Sequence, residues 1–175
     1  SVNLGTISNT DGFTISGGTF NPGSGTIRFN GTSSSNIADV TVTKIDVDTS
    51  LTFNNLEFSA NDLTSSGGRD EAVIEIASGD TLIVNGDLTF SDDKLTGGSI
   101  ELKGNLISTC VDGSDYNGFC PGTGDSLFTL NGTANQSINL QSSLPLNSIS
   151  INKSTGSIFL NSDLNLNLTN QDLSI

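Results

Sequence analysis

Histidine, tryptophan and methionine are absent from this 175-residue chain, and tyrosine occurs once, at Tyr116. Six basic residues (Arg28, Lys44, Arg69, Lys94, Lys103 and Lys153) stand against 19 acidic ones, for a formal charge of −13. Each shortage excludes something. A chain with so few Lys and Arg cannot neutralise phosphates, so nucleic acid is not an expected partner. An anionic membrane surface is disfavoured for the same reason. With no His and two Cys, the usual nitrogen and sulfur ligands of a zinc site cannot be assembled. No apolar run approaches the roughly 18 residues that a membrane-spanning helix needs. There is neither an initiating Met nor a signal-peptide pattern, so the chain reads as a mature exported product or a segment of something longer.

Helix signals are nearly missing too. No window sustains an apolar stripe at i, i+3, i+4 and i+7, and Ala and Glu are scarce. What is present is alternation. Stretches such as "GTIRFNG" (25–31), "DVTVTKIDV" (39–47), "SLTFNNLEFS" (50–59), "DTLIVNGDLTFS" (80–91), "SIELKGNLIS" (99–108) and "NSISINKS" (147–154) place Ile, Leu, Val or Phe at every second position. Thr, Asn, Ser and Asp occupy the positions between, and Gly, Asn, Asp or Ser bounds each stretch, which supplies turn geometry. Strands with one dry and one wet face exclude a doubly wound α/β protein, whose buried strands read as continuously apolar. The pattern also argues for order, because disordered chains are poor in the β-branched and aromatic residues that recur here. The nine Phe fall mostly at inward strand positions, as stacked core.

The chain spells some phrases twice. Phe29-Asn30-Gly31-Thr32 matches Leu130-Asn131-Gly132-Thr133, and "TFNNLEF" is echoed by Leu146-Asn147-Ser148-Ile149-Ser150-Ile151. The expected organisation is one all-β repeat domain over 1–175. A first copy covers about 12–107, a polar loop 108–125, and a partial second copy 126–175. Repeats that differ in loop length are how solenoids read, because insertions leave stacked strands undisturbed. A β-solenoid of the parallel β-helix kind is therefore the expected fold. A β-sandwich, pilin-like subunit completed by a donated strand is the alternative.

The phrases "GGTFNPGSGTIRFNGT", "TFNNLEF", "DTLIVNGDLTF" and "GGSIELKGNL" together resemble a module of large tandem-repeat surface proteins of bacteria and archaea. The resemblance covers about 12–107 well and 122–175 loosely. It implies an exported β-solenoid or adhesin-like stalk displayed at the cell surface.

Residues that could carry chemistry also have plainer explanations. Glycoside hydrolysis needs two carboxylates about 5–10 Å apart. Asp46 and Asp48 share a strand by alternation and Asp92 and Asp93 share a turn, but neither pair has aromatic platforms or basic clamps beside it. The chain is therefore not expected to be an enzyme, and a carbohydrate-binding or polysaccharide-cleaving β-helix is the second reading. Asp112, Ser114, Asp115 and Asn117 in "DGSDYNG" are candidate calcium ligands, since calcium takes six to eight oxygens from Gly-bearing loops. No other cofactor is expected. Cys110 and Cys120 bracket that loop and suit a disulfide in an oxidising compartment. Asn-x-Ser/Thr acceptors for glycans occur at Asn30, Asn131, Asn135, Asn152 and Asn167. At Asn30 and Asn131 the Asn-Gly pair also makes sense as a turn. Thr41-Val42-Thr43 is a lone Thr-x-Thr row, too little for a crystal-binding array. Stacked strands leave unpaired edges at each end, so the expected partner is the chain itself or a neighbouring repeat, with surface glycans a further possibility. The function this predicts is mechanical: a subunit or stalk segment of an extracellular filament or adhesin, joined head-to-tail through its terminal strands.

Overall fold

The computed structural model describes residues 2–3, 12–32, 41–61, 72–91, 94–109, 125–141, 148–164 and 173–175. These contain no helix and fifteen strands. The first five are β1 (Val2–Asn3), β2 (Phe13–Thr14), β3 (Thr26–Thr32), β4 (Thr41–Asp46) and β5 (Ser50–Phe53). Next come β6 (Asn55–Asn61), β7 (Ala72–Val84), β8 (Leu88–Phe90), β9 (Lys94–Leu102) and β10 (Leu106–Ser108). The last are β11 (Leu127–Leu130), β12 (Gln136–Leu140), β13 (Ile149–Ile151), β14 (Ile158–Leu160) and β15 (Leu173–Ser174).

The strands form two sheets. The first runs β1-β3-β6-β8-β10-β12-β14, and the second runs β15-β13-β11-β9-β7-β4-β2 with β5 also paired to β7. Every pairing among the described residues is parallel. Sandwiches pack antiparallel sheets, so this pairing runs against the pilin-like alternative. Apart from β4 and β5, which follow one another in the second sheet, consecutive strands switch sheets at every step. A parallel neighbour cannot be reached by a two-residue hairpin, and here the connection is the strand in the opposite sheet.

Inward side chains line up across strands in columns. In the first sheet Ile27, Leu56, Leu88, Leu106, Ile138 and Leu160 occupy successive partner positions. Beside them Phe29, Phe58 and Phe90 stack, with ring centroids 6.0 and 5.3 Å apart. In the second sheet Phe53, Val84, Leu102, Leu130 and Ile151 form one column. Leu51, Leu82, Ile100, Phe128, Ile149 and Leu173 form another. The two sheets share one core, in which Phe90 of β8 meets Phe128 of β11 at 5.9 Å. The alternation predicted from sequence thus places the apolar residues as expected.

The structure also redistributes several sequence features. Phe29-Asn30-Gly31-Thr32 lies inside β3 of the first sheet, whereas Leu130-Asn131-Gly132-Thr133 leaves β11 of the second. Asn30 is therefore a strand residue and not a turn. The stretches 80–91, 99–108 and 50–59 each read as one strand, yet each is two strands in different sheets. Thr43 is buried in a column with Ile74 and Leu95, while Val42 is exposed, so the Thr-x-Thr row does not face solvent as a pair.

Candidate functional site

Two features recur up the stack: the corner where the chain passes from the second sheet to the first, and a stitched break within the second sheet. The stack then ends on an unpaired, apolar edge. Together these decide what the molecule can do.

The corners are Asn54, followed at once by Asn55 at the start of β6, then Asn85-Gly86-Asp87, Lys103-Gly104-Asn105 and the longer 131–135. They remain bonded from level to level through the backbone: Asn85 N donates to Phe53 O at 3.0 Å, Lys103 N to Val84 O at 2.9 Å, and Asn131 N to Leu102 O at 3.0 Å. A side-chain ladder runs alongside. Asn55 Oδ1 accepts from Asp87 N at 2.9 Å, Asp87 Oδ1 from Asn105 N at 3.0 Å, and Asn105 Oδ1 from Ser137 N at 2.9 Å. Each Asx side chain thus satisfies a backbone donor one level up, which a parallel corner would otherwise leave unpaired. The glycines are there for space. A Cβ on Gly104 would lie 2.2 Å from Gly86 O, and one on Gly132 would lie 2.2 Å from Lys103 O. The phrases "VNGDL" and "LKGNL" are this corner.

At 131–135 the corner is longer, and Gln136 fills it. This side chain is 1% exposed. Its amide donates to Leu102 O at 3.0 Å and Gly104 O at 2.6 Å, and its Oε1 accepts from Gly132 N at 3.0 Å. Lys153 Nζ then donates to Gln136 Oε1 at 2.8 Å, to Ala134 O at 2.9 Å and to Gly132 O. Desolvation lowers the pKa of this ammonium from the ordinary lysine value. The lysine thus caps a corner.

The break in the second sheet lies between β4 and β5 and recurs in β7. Asp48 and Thr49 adopt φ of 49° and 91°, a left-handed region unfavourable for side chains with a Cβ. Register slips between Ile76 and Thr81 on the neighbouring strand. Asp80, 8% exposed, holds both levels: its Oδ2 accepts from Val47 N at 2.8 Å and its Oδ1 from Thr49 N at 3.1 Å. Asp80 escaped the sequence reading; its only signal was a Gly-Asp pair opening the "TLIV" run.

The β14 and β15 end of the stack differs from the rest. Phe159 is 50% exposed, Leu160 57%, Leu173 45% and Ile175 95%. β14 and β15 are the last strands of their sheets, so the backbone groups on their outer sides have no strand partner among the described residues. At the opposite end four phenylalanines interlock: Phe13 meets Phe29 at 5.4 Å and Phe20 meets Phe53 at 5.6 Å.

The residues singled out from sequence are scattered. Cys110, Cys120 and the candidate calcium ligands Asp112, Ser114, Asp115 and Asn117 lie outside the described residues, as do Asn167, Asp92 and Asp93. Asp46 ends β4, while Asp48 sits in the turn beyond it, so the two do not share a strand face; Asp46 lies 3.8 Å from Lys44 instead. Asn131 donates its amide to Glu101 Oε2 at 2.9 Å, and Asn135 Oδ1 accepts from Ser157 N at 3.0 Å. Asn152 is exposed just beyond β13. No group of three or more metal-ligating side chains forms among the described residues. Comparison with protein-family models, with curated proteins and with solved structures finds no match.

Proposed function

We propose that the chain is a β-solenoid segment of an extracellular fibre or adhesin stalk, and that its end strands stack head-to-tail on further copies. The observation that carries this reading is the switching of consecutive strands between two all-parallel sheets. Each level adds one strand to each sheet and buries its apolar face against the levels above and below. Such a stack has no intrinsic stop, because the last level presents the same unpaired groups and apolar column as the one before it.

The exposed Phe159, Leu160 and Leu173 are that last level. Because all strands point one way, a surface that continues the parallel ladder is the opposite end of another copy, not the same end turned around. This is a heterologous contact, which propagates as a filament. In the first sheet the two edges are in register: the row of backbone partner positions that begins at Val2, paired with Ile27, ends at Leu160. In the second sheet they are offset, since β2 pairs before the stitched break and β15 after it. The first sheet therefore supplies the docking register. The resemblance of the corner phrases to tandem-repeat surface proteins supports an exported location.

Negative-stain electron microscopy across a concentration series tests the assembly. Rods that lengthen with concentration are the expected result. Particles of single-chain size at every concentration would remove the self-assembling subunit from consideration.

A further inference from the structure

We propose that Asn152 is an acceptor for an N-linked glycan, projecting from the corner edge of the stack. This rests on the exported reading above. Three sequons fall where side chains are described, and their surroundings differ. Asn131 is half-buried and its amide nitrogen is committed to Glu101 Oε2 at 2.9 Å. In the Asn135 sequon the hydroxyl residue is engaged, with Ser137 Oγ donating to Asn105 Oδ1 at 3.0 Å, and the middle residue Gln136 is 1% exposed. In Asn152-Lys153-Ser154 both Asn152 and Ser154 are exposed, and among the described residues no hydrogen bond engages the Asn152 amide or the Ser154 hydroxyl.

The position suits a bulky polar group. Asn152 follows Ile151, which pairs with Leu130, and so occupies the same corner position as Lys103 and Asn131 in the levels below. Its backbone N donates to Leu130 O at 3.0 Å, and the neighbouring Lys153 anchors the corner through its three acceptors. The acceptor is thus held on a fixed backbone while its side chain points away from both sheets' inner columns. A glycan there leaves the strand ladders and the core untouched.

The reaction is a glycosyl transfer from a lipid-linked glycosyl pyrophosphate. Asn152 Nδ2 forms a bond to the anomeric carbon, the bond from that carbon to the pyrophosphate oxygen breaks, the pyrophosphate keeps the electron pair, and Nδ2 gives up one proton. Ser154 supplies the hydroxyl that the acceptor motif requires.

The full chain is to be exported through the secretory pathway of a host that glycosylates asparagine, and the folded product released with peptide-N-glycosidase in 18O-water before peptide mass spectrometry. Isotope-labelled Asp at position 152, with Asn131 unlabelled, is the expected result. Asn152→Gln and Ser154→Ala should each remove one glycan without shifting the thermal melt. An unlabelled Asn152, or label at Asn131 in its place, overturns the proposal. Export is imposed by the host here, so this outcome is separate from where the chain resides in its own cell. Finding it inside that cell would end the exported reading and leave the acceptor result standing.

Discussion

Asp80 shows how much one side chain can hold. Asp48 and Thr49 sit at positive φ, and such conformations cost on the order of 1–3 kcal/mol each unless their surroundings fix them. The carboxylate of Asp80 supplies that fixing through Val47 N and Thr49 N, one level away in the stack. Val47 is 2% exposed, so its N–H has no water to turn to. Asp80→Ala should therefore lower unfolding free energy by about 2–4 kcal/mol, the cost of two charge-assisted bonds with a buried donor left unsatisfied. Asp80→Asn, which keeps an acceptor oxygen, should lose less. Urea denaturation reads this as a drop in midpoint at constant slope. A midpoint unmoved by Asp80→Ala would show that the break holds itself. Beyond its Gly-Asp pair the sequence carries no sign of this role, because the partners are 33 and 31 positions away and are backbone groups.

At the scale of the element, alternation carried the strands but concealed the corners. Leu82 and Val84 face inward in β7, and Leu88 and Phe90 face inward in β8. The intervening corner Asn85-Gly86-Asp87 has three residues, so the even-numbered positions stay inward across it. A period-two pattern passes through such a corner unbroken, and "TLIVNGDLTF" reads as one strand although it belongs to two sheets. The same holds for Leu102 and Leu106 around Gly104. Alternation is the same for either direction, so the expectation of parallel strands rests on the repeated phrases and not on the strand pattern itself. What the sequence did show was the identity of the core. Phe29, Phe58 and Phe90 were legible as inward residues, and they form the stacked column. Phe58 is fully buried between its two neighbours. Phe58→Ala should cost about 3–5 kcal/mol, the usual range for emptying a buried aromatic site. Because β6 pairs with β3 on one side and β8 on the other, the loss should appear first in hydrogen exchange of β3, β6 and β8. A loss under about 1 kcal/mol would contradict this column's role in the core.

At the scale of the molecule two opposing terms set behaviour. The apolar end level favours continuation of the stack. The formal charge of −13 opposes it, since every added copy brings like charge. Screening reaches about 10 Å at 0.1 M salt, shorter than the molecule, so salt should weaken the opposition between copies more than the contact itself. Assembly should therefore increase with ionic strength. The candidate site was legible in sequence only as a principle, that stacked strands leave open edges. Which residues occupy the edge followed from the pairing order, which places Leu160 and Leu173 last in their columns.

The most direct test is sedimentation velocity over a concentration series at moderate salt, comparing the native chain with Leu160→Asp. Head-to-tail stacking predicts that the native chain forms species heavier than its 18.1 kDa monomer, growing with concentration, and that the variant stays monomeric with an unchanged melting temperature. A native chain that sediments as a monomer throughout, or a variant that assembles equally well, would contradict head-to-tail stacking through this edge.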